Sequence, residues 1–325
     1  MRHLVMRLSQ ATTLLIGVSL LSFVFLQMSP GDYFQEMRLN PQVSQATVER
    51  MRAQYGPDKP ILVRYGRWLV SAARGEFGVS LAYGVPVGPL LWARARNTLL
   101  LTVSATFLSW AIAMVLGVLC AIAPRSSFDR CCSVASSFLL AIPELLLCLA
   151  LLAIVVRTGW LPSGGTSTVQ RGEQAATSLQ QTRDLVSHLV LPVTALVLGT
   201  LPALLLHVRN SLVEVLDLPF VHAAAGHGLS QFTILWRYAL PAAANALISL
   251  FGLSLGSLLS LSLVTEVIMS WPGLGPLLLE AALTRDVDVV IGAVTVSAVF
   301  LVCGMALGDI LLYASDPRIR TERLA

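Results

Sequence analysis

Six segments of this chain are long and nearly free of charged residues, and this pattern constrains the fold more than any other feature. A helix needs roughly 20 apolar residues to cross the hydrocarbon core of a bilayer. Because lipid offers no hydrogen-bond partners, each backbone polar group must be satisfied within its own segment, which favours helices. The sequence therefore predicts an all-α integral membrane protein with six transmembrane helices, at 10–28, 98–123, 132–156, 186–207, 242–265 and 289–313.

The composition agrees with a membrane location and argues against other classes. The chain has 325 residues, of which 55% are hydrophobic and 12% are charged, whereas soluble domains have about 25% charged residues. The net charge of +4 comes without a basic run or interleaved aromatic residues, so we expect no nucleic-acid partner. The five cysteines show no CxxC spacing and are interpreted as small membrane residues rather than as a disulfide framework or metal site. The run from Leu8 to Gly31 is uncharged and long enough to span, which favours an uncleaved first helix over a signal peptide.

Arginine placement predicts the orientation of the spans. Basic residues in the short connections fall on one side of a six-span chain, which the positive-inside bias makes cytoplasmic. These residues are Arg2, Arg7, Arg125, Arg130, Arg209, Arg237, Arg318, Arg320 and Arg323. Both termini are then cytoplasmic.

This orientation divides the chain into four regions. Residues 1–28 form the N-terminal tail and the first span, and residues 29–96 form an extracytoplasmic cap with amphipathic pieces at Ser44–Tyr55 and Pro60–Ala73. Residues 97–315 form the core of the remaining five spans, with a second outer loop at 158–184, and 316–325 form a cytoplasmic tail.

The only sizeable cytoplasmic connection, residues 209–241, has the pattern of a docking loop. Pro219 suits the first turn of a helix, and the alanines that follow would keep that helix flat from His222 to His227. Gly228 permits a sharp turn or a close approach that a side chain would block. A second short helix from Phe232 to Tyr238 would end at Leu240-Pro241, where the chain turns into span five. Such a loop suits insertion into a groove on a partner, and the alternative is an ordinary helical connector.

The chain cannot supply its own ATPase activity through a P-loop. That motif needs a lysine within GxxxxGK[ST], because the lysine and the backbone amides hold the phosphates. The one lysine, Lys59, is followed by Pro60 and lacks the glycines. If the chain moves solute with ATP, the ATPase is another polypeptide.

Several short motifs occur in a recognisable order along the chain. They are Ser29-Pro30-Gly31-Asp32, Arg74-Gly75-Glu76-Phe77-Gly78, His222-Ala223-Ala224 with Gly228 and Leu240-Pro241, Glu266 with Trp271-Pro272-Gly273-Leu274-Gly275, Arg285-Asp286, and Asp316-Pro317-Arg318-Ile319-Arg320. As a set, they resemble the first permease subunit of the dipeptide/oligopeptide/nickel branch of ABC importers. The 222–241 portion resembles the "EAA" loop, which docks on the ATPase in that family. The chain departs from this pattern at His222, which replaces the glutamate, and at Ala225 and His227, where basic residues are common.

The resemblance implies a fold, partners and a mechanism. The fold is that of a type I ABC importer permease in the bacterial inner membrane. The implied partners are a second homologous permease, two P-loop ATPase subunits, an extracytoplasmic solute-binding protein and membrane lipid. ATP is used by the partner subunits, and this chain binds no cofactor. The implied mechanism is alternating access, with peptides as the first solute class and nickel or another small solute as the alternative.

A few polar residues in or beside the spans are candidates for the pathway or gate. Glu144 follows Pro143 within span three, and a carboxylate at that depth should face a cavity or a partner. It would either line the pathway, meeting a cationic group such as a peptide amino terminus, or make a packing contact with a neighbouring polar group. Glu266 and the turn Trp271-Pro272-Gly273 lie at the outer end of span five, where they form a structural hydrogen-bonding element or a gate. Arg285 and Asp286 are expected to hold the outer loop.

Span five also allows two other interpretations. Gly252, Gly256 and Ser260, like Gly304 and Gly308 in span six, have the small-xxx-small spacing that lets helices approach closely. We expect span five to pack against the sister permease.

The stretch 252–256 is also GxSxG, which raises the alternative that the chain is an intramembrane serine protease with His188 or His207 as base. A self-sufficient secondary transporter or channel is the third alternative, although the spans carry few ionisable groups.

Overall fold

The computed structural model describes residues 2–28, 44–46, 49–50, 61–167 and 178–315. This part of the chain is helical apart from turns and one isolated antiparallel bridge between Val79 and Pro86. The predicted motifs at 29–32 and 316–320, the tail 316–325 and most of the amphipathic piece at 44–55 lie outside the described residues. Lys59 lies outside them as well.

The described helices are numbered in chain order. They are α1 Arg2–Met28, α2 Ile61–Ala72, α3 Val87–Ile122, α4 Ser127–Ala141, α5 Glu144–Thr158, α6 Ser178–Leu216, α7 Pro219–Gly226, α8 Gln231–Ile234, α9 Leu240–Ile268, α10 Leu274–Leu283 and α11 Val287–Ser315. A π-helical turn, Leu235–Ala239, joins α8 to α9. The chain divides into two compact units, the first comprising Met1–Thr98 with Pro272–Val302 and the second comprising Leu99–Trp271 with Cys303–Ala325.

Five helical stretches in the described residues are long and apolar enough to cross a membrane, and a bent pair makes a sixth span if it is counted as one. The predicted positions of spans one, two, four, five and six are confirmed, and α2 confirms the amphipathic piece after Pro60. Helix α3 begins at Val87, so the helix of span two extends into the region expected to be cap. The short apolar helix α10 was not predicted.

The prediction of one continuous helix over 132–156 is wrong, because span three is broken. Helices α4 and α5 meet at an angle of 99° across Ile142 and Pro143. A proline pushes the residue before it out of the helical region, and Ile142 is extended, with φ −86° and ψ 121°. Pro143 also has no N–H to continue the helical hydrogen bonds.

The prediction that Leu240-Pro241 ends a separate short helix is also wrong. The helical stretch runs from Gln231 to Ile268, and Leu240 and Pro241 form the first turn of α9. A proline leaves the carbonyl four residues before it without its usual partner and crowds it sterically. The backbone widens into a π turn instead, in which the Leu240 N–H donates to the Leu235 carbonyl.

Two glycines in the second unit bring α9 and α11 into backbone contact. A Cβ built on Gly308 would lie 2.7 Å from the Gly252 Cα, and one built on Gly252 would lie 3.2 Å from the Gly308 Cα. A Cβ built on Gly304 would lie 3.0 Å from the Leu255 Cβ. The expectation that this face of span five packs on a sister subunit is therefore corrected at Gly252, whose small surface is occupied within the chain.

In the first unit, aromatic side chains join α1 to α2. Phe23 of α1 packs edge-on against Tyr65, with ring centroids 5.7 Å apart, and the Tyr65 hydroxyl lies 2.9 Å from the Ser19 hydroxyl. Trp68 and Ile291 complete this buried cluster. It positions α2 along the first span, because the Tyr65 hydroxyl at its polar edge is satisfied by hydroxyl and carbonyl groups of α1.

Candidate functional site

Helix α7, Pro219–Gly226, overlaps the short helix that the sequence predicted from His222 to His227, and it begins earlier, at Pro219. Leu218 is extended, and Pro219 occupies the first helical turn. At the other end, the His227 N–H and the His227 Nδ1 lie 3.1 and 2.8 Å from the carbonyl of Ala223. The extended Leu218 and the cap at His227 therefore bound the helix, which keeps it short and separate from α6.

The two faces of α7 differ in exposure. His222 and Ala223 are exposed, whereas Val221 and Ala224 are buried with Ile234 in one apolar cluster. The cluster packs against Val215 and Leu216 at the end of α6, and against Tyr238. Ala224 thus fixes α7 to the body of the protein and does not belong to its outer face. The exposed surface combines the small side chains of Ala223 and Ala225 with the larger side chains of Phe220 and His222, so it is less flat than the alanines predicted.

Gly228 terminates α7 with a backbone turn. Its φ is +79°, its N–H donates to the Ala225 carbonyl at 2.9 Å, and the space around its Cα is open. Gly228 therefore serves the sharp turn that the sequence predicted as one alternative, and no group approaches it closely among the described residues. A β-branched residue at this φ would be strained.

The residues after the turn carry a second exposed apolar surface. Phe232 and Trp236 are 71% and 59% exposed, and their rings lie 6.0 Å apart. On the opposite side of the same stretch, Leu235 and Ala239 are buried in a core cluster shared with α3, α6 and α9. The segment from α7 to α9 is therefore attached by one face and open on the other.

Glu144 lies at the start of α5, immediately after the break in span three. Its Oε1 accepts a hydrogen bond of 3.0 Å from the Thr265 hydroxyl of α9, and the Cys148 sulfur lies 3.5 Å from the same hydroxyl. The side chain is half-buried. The structure thus shows the packing contact that was one of the two alternatives for Glu144, whereas a pathway role stays a prediction.

The gate candidates at the end of α9 are buried. Glu266 is fully buried, and its carbonyl accepts the Trp271 N–H at 2.9 Å. Ser270 between them has a φ of +52°, which closes the turn. The Trp271 indole packs on Leu101 and Leu258. A gate role for these residues stays a prediction.

Pro272 and Gly273 lead into α10 in the first unit. The Pro272 carbonyl accepts a hydrogen bond of 2.8 Å from the Asn97 amide, and the Leu274 N–H donates to the Thr98 hydroxyl at 2.9 Å. Gly273 is the extended residue that precedes α10. These bonds fix the start of α10 against α3 through groups whose sequence positions differ by more than 170.

Two polar arrangements were not predicted. In the second unit, the Asp129 carboxylate forms a bidentate ion pair with Arg209. The sequence signal was Ser126-Ser127-Phe128-Asp129, a capping pattern, and the Ser126 hydroxyl does accept the Asp129 N–H. In the first unit, the buried Asp286 accepts hydrogen bonds from the Ser80 hydroxyl at 2.6 Å and from the Ala82 N–H at 3.1 Å.

These contacts join Asp286 to the hairpin 79–86, a partner that the sequence did not specify. The Tyr83 hydroxyl of this hairpin also donates to Glu280 of α10. Burial, and then the hydrogen bond to Glu280, raises the pKa of Tyr83 from 10.0 to about 12.

The GxSxG serine does not have the surroundings of a nucleophile. Ser254 is buried, its hydroxyl donates to the Phe251 carbonyl at 2.8 Å, and it accepts the Trp110 indole N–H at 2.9 Å. Among the described residues, no hydrogen bond joins it to His188, whose Nδ1 contacts the Asp184 carbonyl, or to His207. In the same part of the chain, no group of three or more histidine, cysteine, aspartate or glutamate side chains is placed to hold a metal ion.

Long apolar helices and a broken span define the class of this protein as a multi-pass helical membrane protein. Residues 113–321 match the family model described as "Binding-protein-dependent transport system inner membrane component", and the chain belongs to this family. It is therefore a multi-pass inner-membrane component of an ABC transport system. Membership implies that ATPase and solute-binding proteins work with it.

Curated relatives match over almost the whole chain. The oligopeptide transport system permease protein AppB of Bacillus subtilis is 34% identical over 98% of each chain. The dipeptide transport system permease protein DppB of Escherichia coli is 30% identical over 99% of this chain and 100% of its own length. A putative peptide permease protein of Brucella suis is 32% identical over 98% of this chain and 99% of its own.

A solved structure shares the fold. An inward-facing structure of the MetNI methionine ABC transporter matches with a TM-score of 0.57, covering 70% of this chain and 96% of the other. The identity is 18%, so this similarity concerns the fold alone.

Proposed function

We propose that this chain forms half of the membrane pathway of a peptide importer and that α7 is its contact with an ATPase subunit. The peptide assignment is supported by relatives at 30–34% identity whose names specify oligopeptide or dipeptide transport. The other half of the pathway is a second homologous permease, and two ATPase subunits dock beneath the pair. A binding protein delivers peptide to the region 29–96 on the opposite side of the membrane.

One observation carries the contact assignment, namely the difference between the two faces of α7. Val221 and Ala224 attach the helix to the end of α6, while His222, Ala223 and Ala225 remain exposed. A groove on a partner can receive such a face, because Ala223 and Ala225 allow a close approach to the helix backbone. Because the inner face is packed on α6, a push on α7 is passed to a helix that crosses the membrane.

The proposed orientation follows from the arginines near this loop. Arg209 and Arg237 lie on either side of α7, Arg125 lies in the turn before α4, and Arg130 lies in the first turn of α4. The ion pair between Asp129 and Arg209 brings these two connections to the same end of the second unit. By the positive-inside bias, this end is cytoplasmic, and both termini lie on the same side.

The mechanism we propose is alternating access driven by the ATPase subunits. Their closure on ATP would displace α7 as a rigid lever, since the helix is closed at both ends and has only eight residues. The displacement would move α6 and the π turn, which share a core with α3 and α9. This chain would contribute no group to ATP hydrolysis itself.

The test uses the complete transporter with Ala223→Arg, which places a long cation on the exposed face, and with Ala223→Ser as the matched control. We expect Ala223→Arg to lower ATPase co-purification and peptide uptake by at least about tenfold, because an uncompensated charge in an interface costs several kcal/mol. Ala223→Ser should retain both. Gly228→Val, which strains the turn, should lower uptake while the chain still inserts into the membrane.

Three results would contradict the proposal. Normal uptake with Ala223→Arg would remove α7 from the interface. A chain that purifies without any ATPase would favour a secondary transporter or channel. Uptake of nickel, with no uptake of short peptides, would replace the solute class and leave the coupling role intact.

A further inference from the structure

An ion pair in the second unit joins the first turn of α4 to the last third of α6. Arg209 Nε lies 2.5 Å from Asp129 Oδ1, and its Nη2 donates to Oδ2 at 2.7 Å. The Asp129 side chain is 3% exposed and the Arg209 side chain is 20% exposed. Two parallel bonds between a guanidinium and a carboxylate fix orientation as well as distance.

The carboxylate also holds the backbone of the turn. Asp129 Oδ2 accepts the Arg125 N–H at 2.8 Å, and Arg125 has a φ of +65°. The Asp129 N–H in turn donates to the Ser126 hydroxyl, which caps α4. Arg209 of α6 therefore binds the first turn of α4 through Asp129, which also holds the backbone of that turn. The start of α4 is thereby joined to the side of α6.

The Arg209 backbone cannot shift freely relative to α3. A Cβ built on Gly117 would lie 2.6 Å from Val208 Cγ1 and 3.3 Å from the Arg209 nitrogen, so α3 and α6 are in close contact there. Val208 and Leu212 are fully buried in the cluster that α6 shares with α3. The guanidinium thus projects from a part of α6 that is held on one side and moves only with the helix.

Six to seven residues after Arg209, α6 makes its contact with α7. Val215 and Leu216 of α6 pack against Val221 and Ala224 of α7. A continuous set of contacts therefore runs from the exposed face of α7, through the end of α6 and Arg209, to Asp129. Asp129 belongs to the first turn of α4, and this helix ends at the 99° break before α5.

The energetics of buried ion pairs argue for a role in addition to stability. Well-packed apolar residues are often as stabilising as a buried pair, whereas removing one partner leaves an uncompensated charge. A bidentate pair does supply a defined distance and angle between two helices.

We propose that Asp129 and Arg209 are positioning residues for energy coupling, which pass the movement of α7 to the first half of the broken span. The proposal rests on the proposed function, because it takes α7 as the contact with the ATPase. It assigns α4 as the element that moves with α6 and the Ile142-Pro143 break as the point where that movement ends. Neither residue needs to contact the solute or the ATPase.

The experiment uses the complete transporter in proteoliposomes and measures ATP hydrolysis and peptide uptake on the same preparation. The test variants are Asp129→Asn, which keeps the size and some hydrogen bonds, and Arg209→Gln. Glu214→Gln, at an exposed position of α6, and Arg130→Gln, at an exposed position of α4, remove the same charges nearby and serve as matched controls. Arg209→Lys keeps the charge and loses the paired geometry.

We expect uncoupling rather than general loss. Uptake per ATP hydrolysed should fall about tenfold in Asp129→Asn and Arg209→Gln, within the range of known coupling energies. Hydrolysis and ATPase co-purification should stay close to the wild-type values, and both control variants should behave as the wild type. The uptake per ATP of Arg209→Lys should lie between that of the neutral variants and that of the wild type. This variant provides the comparison if a neutral variant fails to assemble.

Two outcomes would overturn the proposal. An unchanged uptake per ATP in all three variants would show that the pair does not transmit movement. A parallel fall of hydrolysis, uptake and thermal stability, with an unchanged ratio, would make the pair a structural connection only. The proposed function is tested separately. It fails if Ala223→Arg leaves ATPase binding and uptake intact.

Discussion

Gly308→Ala is the sharpest test of the packing between α9 and α11. The new methyl carbon would lie 2.7 Å from the Gly252 Cα, whereas ordinary contact begins at 3.4 Å. Because the obstacle is backbone, no rotamer change can relieve the overlap, and the two helices must separate. Overpacking of this kind costs about 1–3 kcal/mol, and separated helices also lose the close contact that drives association in lipid.

A matched substitution isolates the effect of the contact. Gly199 lies inside α6, and no neighbouring atom lies within 4 Å of the place that an added methyl group would occupy. Gly199→Ala should therefore be neutral or stabilising by about 0.5–1 kcal/mol, because alanine favours a helix over glycine. Both variants add one methyl group to a glycine in a membrane helix, and they differ only in what that group meets.

The assay follows the reaction of a thiol-sensitive dye with detergent-solubilised protein during heating. Cys120 and Cys148 are fully buried and become reactive when the second unit unfolds. We expect Gly308→Ala to shift the transition to lower temperature and Gly199→Ala to leave it unchanged or raise it. A Gly308→Ala protein that melts at or above the wild-type temperature would refute the backbone contact.

Two further predictions concern the hairpin 79–86. Asp286→Ala leaves the Ser80 hydroxyl and the Ala82 N–H without their acceptor, which should cost about 1–3 kcal/mol and accelerate proteolysis within the hairpin, and an unchanged cleavage rate would contradict this role. Because burial and then the bond to Glu280 raise the pKa of Tyr83 from 10.0 to about 12, the neutral side chain contributes its full stability below about pH 10, and this contribution is lost as the pH rises through about 12. The assay subtracts the tyrosinate absorbance of Tyr83→Phe from that of the wild type at each pH. This difference should titrate near pH 12, and a difference that titrates near pH 10 would contradict the assigned environment.

Much of the fold could be predicted because the information was local. The length of each apolar segment placed the spans, since lipid imposes helices on any segment that crosses it. Pro219 and Gly228 placed the ends of α7 for the same kind of reason, through backbone preferences that act within one turn. The family resemblance came from the order of short motifs, each of which is also local.

The errors occurred where local preferences compete. Pro143 and Pro241 both lack the N–H that continues a helix, yet one breaks span three at 99° and the other is absorbed in a π turn. The residue type is the same, and the outcome depends on packing nearby. Leu235 and Ala239 hold the π turn in the core shared with α6 and α9, whereas Ile142 before Pro143 takes an extended conformation.

The sequence by itself determined that the chain is helical, membrane-spanning and without a P-loop, because hydropathy, proline positions and motif content act within short windows. Only the tertiary structure decided which face of α7 is attached through Ala224, that Gly252 meets Gly308, and that Asp129 pairs with Arg209. These contacts join positions far apart in the chain and depend on how helices cross. In a membrane helix, buried and lipid-facing sides are both apolar, so hydropathy along the sequence cannot distinguish them.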